Sequence, residues 1–412
     1  MQNAHAILGP SSAYRWLVCT PSARFEQQQP DEESVYALEG TLAHEVAALV
    51  LAARSGTYKG SHKRWIEDVS GLELLIDRFY DEQGKPSEFQ SMFDYAEDYA
   101  TFVLESLDHG GEVVIGAEHT EKNFDKIAKR VLIESKYDMF DYVPLGFGTS
   151  DATVHTKKVL YVTDYKYGAG VRVSAVNNTQ GKLYGLGALA KANAEGWKDI
   201  ETVVIRIYQP RAGGASSWQI SAEALREWGE AEVKPKALQA IAGIGDFVAG
   251  EHCHFCKALL KCKAFYDRFA EVQNLQDKRE LTDDDLKEVL TFGSALASWV
   301  KKMEEEAVRK LERGTKLPGF KLVKGRGRRS FRNEDDVVDA LIGAGFDSFD
   351  IYDPKLRSLT DLEKALGKNK FNQLLGADII TVEGKPALAP EDDDRPAIGK
   401  VGADEYDDED IL

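Results

Sequence analysis

The feature that most constrains this chain is a polar dipeptide, Lys157-Lys158, set between two β-rich runs. The first contains Gly-Thr-Ser-Asp151-Ala-Thr-Val and the second Val-Leu-Tyr-Val-Thr-Asp164-Tyr-Lys166. Two such runs joined by so short a connection predict a hairpin. A hairpin centred on Lys157-Lys158 places Asp151 directly opposite Asp164. Directly opposed side chains have Cβ atoms roughly 4.5–5.5 Å apart, and like charges at that spacing repel. A divalent cation between them removes the penalty. Lys166 lies two residues beyond Asp164 and so projects from the same face of the sheet. Two carboxylates and a lysine then converge on one point. Metal-assisted phosphodiester hydrolysis needs such a set: hard oxygen ligands for Mg²⁺ or Mn²⁺, and a cation near the attacking water and the scissile phosphate. Asp-x-Lys alone is a common solvated surface pair. Here the preceding residues, Val159-Leu160-Tyr161-Val162, are apolar on both faces, as in a buried central strand, and charges at the end of such a strand are costly without partners.

At 412 residues the chain is long enough for one large domain or two to three smaller ones. Its longest strongly apolar run, Val46 to Ala53, is far short of the ~20 residues that cross a bilayer. The N-terminus has no basic region followed by an apolar core. The expectation is a cytoplasmic protein with no membrane partner. A net charge of −17 argues against a generic polyanion-binding surface. The charge is uneven, however. Residues 391–412 carry ten acidic side chains against Arg395 and Lys400, which predicts a disordered acidic tail. Lys321, Lys324, Arg326, Arg328, Arg329 and Arg332 form a basic patch interleaved with Phe320 and Phe331, a candidate DNA-binding groove.

The four cysteines are not scattered. Cys253, Cys256 and Cys262 form C-x2-C-x5-C, and Cys19 stands alone near the N-terminus. Four thiolates suit a [4Fe–4S] cluster or a structural zinc. No second C-x2-C pair accompanies the first, which lowers the zinc reading. A ligand set drawn from both ends of the region would staple residue 19 to residue 253, and binding energy at such a site is folding energy.

Along the chain, residues 9–27 read as loop–helix–loop. A helix is expected over Leu42–Arg54 with Thr41 as its N-cap and His44 in its first turn. Another is expected over 86–108. Strands follow at Val113–Ala117, Val131–Phe140, Phe147–Val154, Val159–Lys166 and Thr202–Tyr208. A glycine-containing helix over about Asn178–Ala192 carries Gln180 and Tyr184 on one face. A long helix over Asp283–Arg313 would use Leu286, Leu290, Trp299, Val300 and Met303 as its apolar side, and a short helix starts at Thr360. The polar stretch from Gln273 to Asp285 separates residues 1–270, which carry the motifs, from a helical and basic region over 271–390 and the tail over 391–412.

The order of these elements resembles the RecB-like branch of the PD-(D/E)XK nucleases: Gly40-Thr41-x-x-His44, Gly148-x-x-Asp151, Asp164-x-Lys166 and Gln180-x-x-x-Tyr184, bracketed by Cys19 and the cysteine trio. More narrowly it resembles the iron–sulfur members, the AddB-type nucleases and CRISPR-associated exonucleases. Phrases such as Gly-Phe-Gly-Thr-Ser-Asp151 and Tyr208-Gln-Pro-Arg are similar to a phage- and prophage-encoded family of unassigned function in that class. The resemblance implies a restriction-endonuclease-like α/β core, a mixed β-sheet flanked by helices, with a helical C-terminal extension. It implies His44, Asp151 and Asp164 as metal ligands, with the Tyr165 carbonyl as a further candidate. Lys166 would position the water, and Gln180 and Tyr184 would support the site and contact DNA. Cys19, Cys253, Cys256 and Cys262 would hold a [4Fe–4S] cluster. The acidic residue of the preceding strand is open between Glu118 and Glu134. The superfamily's proline is absent, since Ser150 precedes Asp151. The function expected is a Mg²⁺- or Mn²⁺-dependent DNA exonuclease of phage-type recombination or replication, acting in a host cytoplasm beside a single-strand annealing or replication protein. Two alternatives stand beside it: a non-catalytic DNA-binding accessory that keeps the nuclease fold, and a zinc-stapled structural component.

Overall fold

The computed structural model describes residues 6–30, 34–83, 85, 87–107, 129–273 and 282–320. The chain forms two compact units, Met1–Glu306 with Glu391–Pro396, and Ala307–Pro390 with Ala397–Leu412. Of the second, the described part is residues 307–320. The expected strand at 113–117, the basic patch, the Thr360 helix and the acidic tail lie outside the described residues.

The first unit is built on five strands: β1 (Lys129–Asp138), β2 (Phe147–Thr156), β3 (Val159–Tyr165), β4 (Thr202–Gln209) and β5 (Gly214–Ser221). They lie in that order, antiparallel throughout except for the parallel pair β3–β4. The β2–β3 hairpin turns at Lys157-Lys158 in the expected register: Ala152 pairs with Thr163 and Thr153 with Val162, so Asp151 and Asp164 come next. The apolar run of β3 makes it the central strand. Leu160 and Val162 are buried on one face, and Tyr165 on the other.

Helices cover both faces. On one lie α3 (Val35–Arg54), α4 (His62–Asp81) and α5 (Phe89–Leu104), whose Val46, Val50, Met92, Tyr99 and Val103 meet Val131, Ala152 and Val154 of the sheet. Helix α3 is long and apolar enough to cross a membrane by length and composition. Its Ala43, Val46, Ala47, Val50 and Leu51 are instead buried in this core. On the other face lie the short α1 (Ala13–Trp16) and α2 (Ser22–Glu26), then α6 (Thr179–Ala194), α7 (Ala222–Trp228) and α8 (Lys234–Ala242). A parallel pair requires a crossover, and α6 provides it between β3 and β4. Residues 181–189 of α6 are buried without interruption. Its glycines permit the close approach: a Cβ on Gly181 would strike Ile205 of β4, and one on Gly185 would press on Val203 and Leu225.

Three expectations are corrected. Helix α3 begins at Val35, not Leu42. The Ser34 hydroxyl caps it by accepting from Ala37 N (3.1 Å), and Thr41 is interior, its hydroxyl donating to Ala37 O. The second helix begins at Phe89 rather than 86. In α10 (Asp283–Glu312) the docked face is Phe292, Ala295, Leu296 and Trp299, packed on Phe265 and Phe269 of α9 (Lys263–Gln273), while Leu286, Leu290, Val300 and Met303 are exposed. The helix carries two apolar stripes, and the aromatic one finds the partner.

Candidate metal centre and cysteine cavity

The β2–β3 ladder stops at Ala152–Thr163, and beyond it the strands are joined by a side chain. Asp151 Oδ2 accepts from Tyr165 N at 2.7 Å, leaving Oδ1 3.4 Å from His44 Nδ1. His44 reaches this point from α3 on one face of the sheet. Gln180 reaches it from α6 on the other, held in place by the first turn of a helix whose N-cap, Asn178, accepts from Gly181 N (2.9 Å). Gln180 Nε2 donates to Asp164 Oδ1 (2.9 Å), and Lys166 Nζ donates to both Gln180 Oε1 (3.2 Å) and Asp164 Oδ1 (3.2 Å). Asp164 Oδ2 lies 2.9 Å from the same ammonium but has no aligned hydrogen bond. Tyr184, one turn along α6, is buried with its ring against Gly148, where a Cβ would come within 2.9 Å of the ring.

A residue left open by sequence completes the cluster. Glu134 of β1 sits between the pairs Ile133–Ala152 and Ser135–Ser150, opposite Asp151. Its backbone is left-handed (φ 44°), a conformation that costs a non-glycine residue on the order of 1–3 kcal/mol and concentrates at functional sites. Ligand atoms of His44, Glu134 and Asp151 all lie within 4.8 Å of one another. That spread suits one small divalent cation with oxygen and imidazole ligands. Asp164 is not in this trio, because Lys166 and Gln180 hold its oxygens to one side. The register of β1 against β2 is the signal that finds Glu134, and the long β1–β2 connection hides it from sequence. Glu118 lies outside the described residues.

The electrostatics follow from burial and proximity. Burial works against the charged imidazole, but the Asp151 carboxylate and its contact outweigh it and hold the His44 pKa up at about 9. Desolvation, then the charge of Asp151, pushes Glu134 up to about 7. Burial alone would raise Asp151, yet His44 holds it below the ordinary carboxylate range. Asp164 is raised, chiefly by burial, against the pull of Lys166. The protein's own cations, His44 and Lys166, stand among the acids.

The parallel pair also forms the rim. Lys166 N donates to Tyr208 O (2.9 Å), and the next residue of β4, Gln209, is 3% exposed. Its Oε1 accepts from Val173 N (2.9 Å) and its Nε2 donates to Gly168 O and Val171 O (both 2.8 Å), so one amide ties down the loop between Lys166 and Gln180. Arg211 pairs with Glu39 of α3 (3.0 Å), whose carboxylate also accepts from Tyr80.

All four cysteines line one small cavity, with Arg15, Ser22, Phe25, Phe247, Val248, His252 and Leu259. The chain therefore does bring residue 19 to the trio. Burial pushes the thiol of Cys253 up to about 11 and that of Cys256 up to about 12, and it also raises Cys19. Ser22 Oγ is buried there against the Cys19 thiol, with no oxygen or nitrogen partner. Four convergent thiols and a hydroxyl set beside one of them fit a group that deprotonates the sulfurs and accepts a hydrogen bond at sulfur. Among the described residues the cysteine sulfurs form no group as tight as the His44 trio. Lys321, Lys324, Arg326, Arg328 and Arg329 lie outside the described residues.

Fold and site define an α/β protein: helices on both faces of a five-stranded mixed sheet, with acids, a histidine and a lysine gathered at the C-terminal end of its parallel pair. A family described as "Protein of unknown function (DUF2800)" matches residues 5–396, and the chain belongs to that family. Among solved structures, one described as the crystal structure of SSO0001 is 13% identical to the chain. It matches 61% of this chain and 96% of its own length, with a TM-score of 0.22.

Proposed function

We propose that this protein is a Mg²⁺- or Mn²⁺-dependent DNA nuclease of the RecB-like type, an exonuclease acting on DNA ends or single strands in phage-type recombination or replication. The observation that carries the reading is the convergence of His44, Glu134 and Asp151 beside the Asp164–Lys166–Gln180 network. His44, Glu134 and Asp151 would hold the cation, with Asp164 beside them, bonded to Lys166 and Gln180. When bound there, such a cation would supply a polarised water and stabilise charge on the phosphate oxygens. The remaining work falls to the chain. Asp164 and Gln180 hold Lys166 at a fixed point, where its ammonium neutralises charge that develops on a phosphate oxygen. Tyr165 N–H, bonded to Asp151, fixes the orientation of that carboxylate. Helices α3 and α6 close the site from both faces of the sheet, and a low-dielectric setting of this kind strengthens each interaction. The cysteine cavity would hold a [4Fe–4S] cluster rather than zinc. Thiolates around zinc at ~2.3 Å stand within ~4 Å of one another, tighter than these sulfurs lie.

The test is digestion of end-labelled single- and double-stranded DNA by the full chain with Mg²⁺ or Mn²⁺. Asp164→Ala and Lys166→Ala should each lower the rate by at least about 100-fold. Digestion at the parental rate by either variant would falsify the assignment. Salt-sensitive binding without cleavage would point instead to a DNA-binding accessory, and iron and zinc content distinguishes the cluster from a zinc staple.

A further inference from the structure

Besides its thiols the cysteine cavity is lined by three polar side chains, Arg15, Ser22 and His252; His252 is bonded to Val248 O (2.8 Å), whereas Arg15 and Ser22 keep hydrogen-bonding capacity to spare. Arg15 lines it and is 7% exposed. Its Nε donates to Glu26 Oε2 (2.7 Å) and its Nη1 to the Tyr14 hydroxyl (2.9 Å), which leaves Nη2 without a protein partner among the described residues. Glu26 is a shared anchor: its second oxygen accepts from Lys257 N (2.8 Å), the residue after Cys256. The guanidinium is thus held rigidly beside the cavity and its charge is felt at Cys256. Ser22 lines the same wall, three residues after Cys19, and its buried hydroxyl is turned toward the Cys19 sulfur, with no oxygen or nitrogen partner. A buried hydroxyl whose one contact is a thiol is poorly satisfied, and such groups are rare unless a bound species completes them.

A neutral or purely structural filler would need neither group. Four thiolates around an iron–sulfur cluster carry net negative charge, and adding an electron makes that charge larger. A fixed cation and a hydrogen bond to sulfur both favour the more negative state, and these are the levers by which proteins raise a cluster's reduction potential. We infer that Arg15 and Ser22 are tuning residues of this cavity, which set the potential of a reducible iron–sulfur cluster held by Cys19, Cys253, Cys256 and Cys262. The inference rests on the iron–sulfur reading given under Proposed function.

The experiment is a potentiometric titration of the full-length protein, purified anaerobically and followed by electron paramagnetic resonance, with iron and sulfide measured on each sample. Ser22→Ala and Arg15→Gln should retain the parental iron and sulfide and shift the midpoint to more negative values. Arg15→Lys, which keeps the charge, should restore most of the Arg15→Gln shift. Ser22→Ala removes no packed atom beyond the hydroxyl, so it tests the idea even if Arg15→Gln disturbs the link to Glu26. Full iron content with an unchanged midpoint in Ser22→Ala and Arg15→Gln overturns the tuning role while leaving the cluster in place. A parent protein that contains zinc, or no metal, overturns the iron–sulfur reading itself.

Discussion

Glu134 concentrates the tension of this site in one residue. Its backbone is left-handed and its carboxylate faces Asp151. Glycine adopts that backbone at no steric cost. Glu134→Gly should therefore be about 1 kcal/mol more stable than Glu134→Ala. Both should lose at least about tenfold in Mn²⁺ affinity, as removing groups that hold a metal does. Chemical denaturation and calorimetric titration measure the two effects, and equal stability of the variants would remove the case for backbone strain. The raised pKa values give a second prediction. A cation must displace the proton on His44, whose pKa is about 9, and below about pH 7 that on Glu134 as well. Apparent Mn²⁺ affinity should rise roughly tenfold per pH unit between pH 7 and 9, and more steeply below 7. The metal-free fold behaves in the opposite sense: the His44⁺–Asp151 contact is fully stabilising below the ordinary imidazole pKa and is lost as pH rises through about 9. Thermal melts with and without Mn²⁺ across this range should diverge as pH rises.

At the scale of elements, the hairpin was legible in the sequence because its register depends only on local things: a polar turn, two β-rich runs and side chains that alternate. Asp151 and Asp164 follow from that register, and Gln180 and Tyr184 from helical spacing. What depends on tertiary partners was not legible. The start of α3 was hidden because Gly40-Thr41 resembles a helix entry, whereas Ser34 caps it a full turn and more upstream. The docked stripe of α10 was chosen by Phe265 and Phe269, which no periodicity within α10 reveals. Strand β5 and helices α4, α7 and α8 were not anticipated, since β5 is an edge strand rich in serine and glycine with a weak strand signature. The glycines of α6 give the test at this scale. Gly→Ala in a helix ordinarily stabilises by about 1 kcal/mol. At Gly181 the new methyl would meet Ile205 in the core. Gly181→Ala should lower stability by about 1–3 kcal/mol and, through its neighbour Gln180, slow cleavage as well. An increase in stability would show that β4 yields to the methyl.

Across the whole molecule, the cysteine cavity joins the N-terminal helices to a segment that begins more than two hundred residues later. A cluster bound by all four cysteines would close a loop of that length, which would restrict the unfolded chain by about 5 kcal/mol in the chain-entropy treatment wherever the cluster stays attached. Helix α10 is fastened to the same segment: Ser298 donates to His254 O (2.8 Å) and Lys302 to Cys256 O (2.8 Å). Cys19→Ser should therefore lower the melting temperature and speed amide exchange in residues 13–26, with a smaller effect in 292–302. Uniform loss of protection along the chain would mean that the cavity is an integral part of one cooperative core rather than a local fastener.

The Gln209 amide has a consequence for selectivity. A loop pinned at three backbone positions cannot drift to follow what enters beside it. If the site takes DNA as proposed, its mouth would keep one shape, and a strand, an end or a gap would be accepted or refused by whether it already matches that outline, with discrimination from stiffness instead of closure.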